Sequence, residues 1–309
     1  MVCSGSSGMT AAETPPSVGF VGLGQMGRPI AERLVSAGVR LLVFDTRLEA
    51  TRGFRAAVSL AALGAECDVV ITMLPDGDVV RRVSIGDADR LAGAMRRGTL
   101  LIDMSSSEPT GTRALGSVLA EHGVTLLDAP VSGGVARARE GRLTVMVGGD
   151  PAAIQRCRPL FGPLAAQVFE VGPLGAGHAL KALNNLVSAA GVVATAEALL
   201  IGQRFGLDPG VMLDVFNAST ARNNASEHKF RQFVFSRRFD SAFALGLMAK
   251  DVGTAIDLAA ATSTPAPLGA ACRAIWDRAH AALGAGADHT EVVRYLERLA
   301  DTTLGEKGS

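Results

Sequence analysis

The sequence predicts a doubly wound α/β domain with a parallel sheet, followed by an all-α helical domain. Two observations predict it. Short apolar runs alternate with helical stretches between residues 17 and 171, the pattern of a sheet covered on both faces. After Gly177 the strand signal stops and only helical patterns remain.

The runs are VGFVG (18–22), LLVF (41–44), DVVITML (68–74), TLLID (99–103), VTLLD (124–128), LTVMVGG (143–149) and QVFEV (167–171). Their length and apolar continuity suit buried parallel strands; their spatial order is not legible. Helices are expected over about 178–205, 209–218, 224–235, 242–263, 266–282 and 289–303, punctuated by Gly206, Pro209, Pro265, Pro267 and the glycines at 284 and 286. A composition shift at GPLGAG (172–177) divides a dinucleotide-binding domain, 17–175, from a helical domain, 176–309. Residues 1–16, small and polar and closed by a proline pair, read as a disordered leader without the basic flank and apolar run of a signal peptide.

Composition excludes several classes. The chain has 309 residues, 48% hydrophobic and 19% charged, enough apolar material for two cores and too much for a mainly disordered chain. Thirty basic residues balance thirty acidic ones, so no overall charge points to nucleic acid or an anionic membrane surface. Cys3, Cys67, Cys157 and Cys272 form no CxxC, and the five histidines form no HxxH or HExxH. Free thiols in a reducing, cytoplasmic setting are expected, with no metal. The most membrane-like stretch, 186–202, contains Glu197 and lacks about 20 continuous apolar residues, so it reads as a buried helix of a soluble protein.

Four motifs carry chemistry. The first strand runs into Gly22-Leu23-Gly24-Gln25-Met26-Gly27, a GxGxxG turn in its required place before a helix. Gly22 permits the tight turn, Gly24 lets a pyrophosphate approach, and Gly27 lets helix and strand pack. The helix N-terminus then offers N–H groups and partial positive charge to phosphates. Asp45 closes the second strand 18 residues after Gly27, where a carboxylate accepts from an adenosine ribose. Its charge favours NAD; Arg47 keeps NADP open.

The second motif, Asp-Ala-Pro-Val-Ser-Gly-Gly at 128–134, follows a strand. Ser132, Gly133 and Gly134 offer a hydroxyl and bare N–H groups to a small carboxylate; a plain turn is the alternative. In the third, 175–185, Lys181 sits near the start of an apolar helix with Asn185 on the same face and Asn184 adjacent. Desolvation there makes lysine a usable proton carrier, whereas a snorkelling lysine would be inert. His178 reads as a helix-start residue packing locally. The fourth motif holds Lys250 and Asp251 mid-helix, within reach of cofactor or substrate or simply paired on the surface. The polar run 217–224 reads as substrate contact or a solvated loop.

Together, GLGQMG (22–27), DAPVSGG (128–134), GAGHALKALNN (175–185) and MAKD (248–251) resemble the β-hydroxyacid dehydrogenase family, also called the 3-hydroxyisobutyrate dehydrogenase family. The resemblance spans about 18–300. It implies a Rossmann domain, a long linking helix with Lys181 near its start, and a helical domain that mediates oligomerisation; the small residues Ala189, Ala190, Gly191, Ala194, Ala196 and Ala198 on that helix, with the apolar later helices, point to a homodimer or homotetramer. It also implies Lys181 as the catalytic general acid/base, assisted by Asn185. Ser132, Gly133 and Gly134 hold the substrate carboxylate. Leu74 and Pro75 lie beneath the nicotinamide, Ser106 stands at a cofactor-binding threonine position, and Lys250 closes over the cofactor. The stretch 219–224 keeps an arginine but replaces an aromatic by asparagine, which points to a more polar substrate than 3-hydroxyisobutyrate. The expected activity is NAD(P)-dependent interconversion of a small β-hydroxyacid and its semialdehyde or ketone. The alternatives are an imine or carbonyl reductase of the same fold, and a non-catalytic dinucleotide-binding module.

Overall fold

Residues 16–305 are described in a computed structural model; the leader expected over 1–16 lies outside the described residues, Pro16 apart. Among them nine strands form one sheet: β1 Val18–Val21, β2 Leu41–Phe44, β3 Arg55–Ala56, β4 Val69–Thr72, β5 Leu100–Asp103, β6 Thr125–Asp128, β7 Val131–Ser132, β8 Leu143–Gly148 and β9 Ala165–Gly172. Helices α1 Gly27–Ser36, α2 Leu60–Glu66, α3 Gly77–Ile85, α4 Pro109–Glu121, α5 Gly134–Glu140 and α6 Pro151–Phe161 alternate with them. Only helices follow: α7 Ala176–Phe205, α8 Pro209–Ala218, α9 Asn224–His228, α10 Leu245–Ala261, α11 Pro267–Leu283 and α12 Val292–Leu299.

Strand side chains alternate between two buried layers, because successive residues point to opposite faces. Phe20, Ile71 and Ile102 pack with Ile30 and Leu34 of α1. Val21, Val70 and Leu101 pack with Leu63 of α2 and Leu115 and Leu119 of α4. The strands run β3-β2-β1-β4-β5-β6, all parallel. The winding reverses at β1, so a crevice opens beyond the carboxyl ends of β1 and β4, where such sheets bind ligands.

The expected parallel sheet carries one antiparallel step near its edge: β8 runs antiparallel to both β6 and β7. The pairs Asp128↔Gly148, Val131↔Val145 and Ser132↔Thr144 make one continuous register, so β6 and β7 are a single strand interrupted at Pro130, which has no N–H. A parallel return needs a crossover of about a dozen residues or more, and the short α5 link is too brief for one.

The expected helix over 224–235 breaks after His228. Lys229 follows, and then a π-helical turn, Phe230–Phe235. The last expected helix opens with a 3-10 turn at His289–Glu291. A separate apolar core, with Val192, Ala196, Phe230, Met248, Trp276 and Leu296, fills the helical part.

Helix α7 joins the two parts. Its N-terminus is pinned by Asp128, whose carboxylate accepts the N–H of Gly175 and of His178, both at 2.8 Å. Gly177 allows that close approach: a Cβ there would stand 2.3 Å from the Met146 carbonyl oxygen. By length and composition α7 is apolar enough to cross a membrane, with mean hydropathy 1.6 over its best window, but half of that window is buried inside the protein.

Candidate active site

The glycine turn fills the mouth of the crevice. Gly22 has φ +98°, and a Cβ at Gly27 would stand 1.9 Å from the Gly22 carbonyl oxygen, so both positions require glycine. At Gly24 an added Cβ meets nothing within 4 Å. That exposed space adjoins the N-terminus of α1, which has no side-chain cap and no acidic residue in its first turn. An open cradle at an uncapped helix N-terminus fits a dinucleotide pyrophosphate. Asp45 accepts the Leu23 N–H at 2.7 Å and the Arg47 N–H at 2.8 Å, which keeps its carboxylate fixed beside the turn. The Arg47 side chain is drawn to the same carboxylate, at 3.5 Å. On the neighbouring β4 end, the Leu74 N–H donates to Ser105 Oγ at 2.9 Å, and Pro75 is exposed.

Lys181 lies in the second turn of α7 and makes no hydrogen bond or ion pair among the described residues. Burial pushes its ammonium below the usual lysine range; Asp251 opposes that shift, and Lys250 adds to it. Asp251 is the hub of the site. Its carboxylate accepts from Asn185 Nδ2 at 2.6 Å and from Ser106 Oγ at 2.7 Å, and stands 3.2 Å from Lys250 Nζ. One carboxylate thus ties α7 and α10 to the loop after β5. Lys250 also donates to the Ser106 carbonyl. Asn184 donates to Asn185 Oδ1 at 3.1 Å, fixing the orientation of that amide. A cleft lined by Asp76, Arg81, Ser106, Glu108, Lys250 and Thr254 opens beside this network; neither Lys181 nor the glycine turn lines it.

Ser132 ends the β6–β7 strand, half-buried. Gly133 (φ +131°) and Gly134 (φ +69°) follow it, exposed, at the start of α5. The strand that presents this loop carries Asp128 at the end of β6, the same residue that pins α7. The loop and the Lys181 helix therefore share one anchor. His178 is no local packing residue: it is fully buried, with Nδ1 2.8 Å from Thr112 Oγ1 and Nε2 3.6 Å from Asp103 Oδ2.

From sequence alone Asp251 could orient Lys250 or cap a neighbouring helix; its partners Ser106 and Asn185 lie 145 and 66 positions away in the chain. Asp128, the first residue of the 128–134 motif, likewise acts through partners 47 and 50 positions away, Gly175 and His178. The polar run at 217–224 makes local contacts instead. Asn223 accepts from the Ala225 and Ser226 N–H groups as the cap of α9 and donates to Thr195. Asn217 donates to the Ser226 carbonyl, and Arg222 stands 3.7 Å from Glu227.

Comparison with known proteins settles the relationship. Residues 17–172 match the family model described as the NAD binding domain of 6-phosphogluconate dehydrogenase. Residues 175–296 match the one described as NAD-binding of NADP-dependent 3-hydroxyisobutyrate dehydrogenase. The chain belongs to the β-hydroxyacid dehydrogenase family. Among curated relatives, 2-(hydroxymethyl)glutarate dehydrogenase of Eubacterium barkeri is 34% identical, over 93% of this chain and 97% of that protein. The NAD-dependent L-serine dehydrogenase of Pseudomonas aeruginosa is 38% identical, over 82% of this chain and 88% of that one. The structure of Mycobacterium tuberculosis 3-hydroxyisobutyrate dehydrogenase with L-serine superposes with TM-score 0.84 at 36% identity, over 92% of this chain and 99% of that chain.

Proposed function

We propose that this β-hydroxyacid dehydrogenase oxidises the 3-hydroxyl of a small β-hydroxyacid to a semialdehyde or ketone, reversibly, with NAD(P). The compounds that name its relatives share a carboxylate with a hydroxyl-bearing carbon β to it. Gly22, Leu23, Gly24, Gln25, Met26 and Gly27 would hold the dinucleotide at the start of α1. Asp45 would take the adenosine ribose. Leu74 and Pro75 would line the nicotinamide side, with Ser106 and Lys250 closing over it. NAD is favoured, because Asp45 repels a 2′-phosphate and neutralises the nearby Arg47. When bound, the nicotinamide supplies the hydride acceptor or donor.

The chain's own residues do the rest. Ser132, Gly133 and Gly134 hold the substrate carboxylate, and Asn185, fixed by Asp251, orients the hydroxyl. Lys181 takes the hydroxyl proton in oxidation and returns it in reduction. The observation that carries this reading is the Lys181 amine, desolvated and without an ion pair among the described residues, beside the fixed Asn185–Asp251 pair. An ordinary lysine, with a pKa near 10.4, is neutral in only about one molecule in 2,500 at pH 7, and each unit of depression multiplies that fraction about tenfold. Burial thus makes the base available without an external partner. An imine reductase, or a module that only binds dinucleotide, has no use for this lysine.

The enzyme is further proposed to be a soluble cytoplasmic homodimer or homotetramer, assembled through its helical part. Of the small residues on α7, Ala189 and Ala196 are buried within the chain, so they are not the contact surface. The exposed apolar face runs instead through Val187, Ile201 and Phe205 on α7 and Val211 and Val215 on α8, with Phe205 85% exposed. The test of activity is formation of reduced nicotinamide from NAD with L-serine, 3-hydroxyisobutyrate and 2-(hydroxymethyl)glutarate. Turnover of at least one supports the reading, and none with either NAD or NADP rejects it.

A further inference from the structure

Lys229 is a half-buried cation that takes no part in the proton transfer proposed for Lys181. It stands between α9 and the π-helical turn, and such turns recur at functional sites. Its Nζ lies 2.9 Å from His289 Nε2 and 3.5 Å from Ser188 Oγ, and it forms no ion pair among the described residues. His289 is a neutral partner: burial pushes its pKa down to about 3, with Lys229 adding to the shift. Its Nδ1 stands 2.8 Å from Ser241 Oγ, and Ser241 in turn donates to Asp288. Nδ1 therefore carries the proton, and the Nε2 lone pair faces Lys229. Asp288, which Lys229 feels only at a distance, is occupied by Ser241 and by the N–H and hydroxyl of Thr290. Burial lowers Lys229 to about 8, so it is still charged at neutral pH. Asp288 favours that charge only through space, and the groups in direct contact with it are neutral, so an anion bonded to Nζ directly would add to its stabilisation.

Its position says which anion. Lys181, Asn185 and Ser188 recur at i, i+4 and i+7, along one face of α7. Seven residues at a rise of about 1.5 Å put Ser188 roughly 10 Å beyond Lys181 along the helix. Asn185, held by Asp251, lies between them. We infer that Lys229 and Ser188 form the far end of the substrate pocket and receive a second anionic group, carried on the side chain of the β-hydroxyacid. This rests on the dehydrogenase reading for the near end, where Ser132, Gly133 and Gly134 take the first carboxylate. The preferred substrate is then an acidic-armed β-hydroxyacid, with an arm of two or three carbons.

The test is calorimetric binding to the full-length, NAD-loaded protein, comparing butyrate with glutarate and 4-sulfobutyrate. Either doubly anionic probe is expected to bind about 10- to 100-fold tighter than butyrate, the worth of a hydrogen bond to a charged group. The better of the two identifies the oxyanion. In Lys229→Gln the preference is expected to collapse to within a few-fold, and in Ser188→Ala to shrink by a smaller factor. Should Lys229→Gln fail to fold, Ser188→Ala carries the comparison. A wild-type preference near one overturns the subsite, as does a preference that survives substitution. No turnover is read, so a failure of the dehydrogenase reading shows separately, as absence of reduced nicotinamide with every β-hydroxyacid.

Discussion

Replacing Asp251 by Asn keeps the shape of the hub and removes its charge. The carboxylate accepts from Asn185 at 2.6 Å and Ser106 at 2.7 Å and pairs with Lys250 at 3.2 Å, in a side chain only 4% exposed. An amide has one acceptor oxygen. It can keep Asn185 or Ser106, and its NH₂ then faces a donor or the Lys250 ammonium. At least one hydrogen bond to a charged group is lost, worth about 1.5–3 kcal/mol. At about 1.4 kcal/mol per decade, kcat/KM is expected to fall roughly 10- to 100-fold. The pH profile adds a sign. Asp251 raises the Lys181 pKa against burial and Lys250, so without its charge that pKa falls further. Oxidation needs the neutral amine, so its rate rises with pH up to that pKa. The rising limb must therefore move to lower pH in Asp251→Asn. Steady-state kcat/KM for oxidation across pH measures both quantities. An unchanged kcat/KM, or a limb that stays in place or moves alkaline, would refute the hub.

Asp45→Ala is expected to weaken NAD and improve NADP relative to it, read as the ratio of kcat/KM for the two cofactors; an unmoved ratio removes Asp45 from cofactor choice. His289 stays neutral in the folded protein down to about pH 3, while the unfolded chain takes up its proton near 6.5. The unfolded state thus binds more protons in that window, and stability falls with pH from 6.5 towards 3. Thermal melts should show a shallower acid slope in His289→Asn than in wild type, and equal slopes would count against it. Light scattering should give at least twice the 31.8 kDa of one chain at micromolar concentration, and Phe205→Glu with Val187→Glu should shift the mass downwards. A wild-type monomer would end the oligomer proposal.

Much of the fold was legible because each core strand is a short unbroken apolar run, buried on both faces, as in Leu100, Leu101 and Ile102. What escaped had no such signal. β3 is two exposed residues, Arg55 and Ala56. β7 hides inside a motif whose proline and glycines read as a turn. The antiparallel edge depends on how β8 pairs across space, which periodicity does not encode. The helix break at Lys229 was equally silent, because a π-helical turn keeps an apolar helical pattern.

The candidate site was legible where chemistry is local. The glycine turn carries its own steric reasons at Gly22 and Gly27, and Lys181 with Asn185 share a face by spacing alone. Asp251 and Asp128 were harder. Each acts through partners distant in the chain, Ser106 and Asn185 for one, Gly175 and His178 for the other. A carboxylate's partners are a property of the fold. His178 shows the same limit, since a histidine at a helix start looks alike whether it faces solvent or two buried carboxylates.

The central claim is that Lys181 carries the proton. It is tested most directly by measuring turnover and NAD affinity together in Lys181→Ala, with the β-hydroxyacid that wild type uses best. A general acid/base contributes typically ~10²–10⁴-fold, so turnover should fall by that order while the NAD dissociation constant stays within a few-fold of wild type. Turnover within tenfold of wild type would contradict the account, as would a loss explained by weakened NAD binding alone.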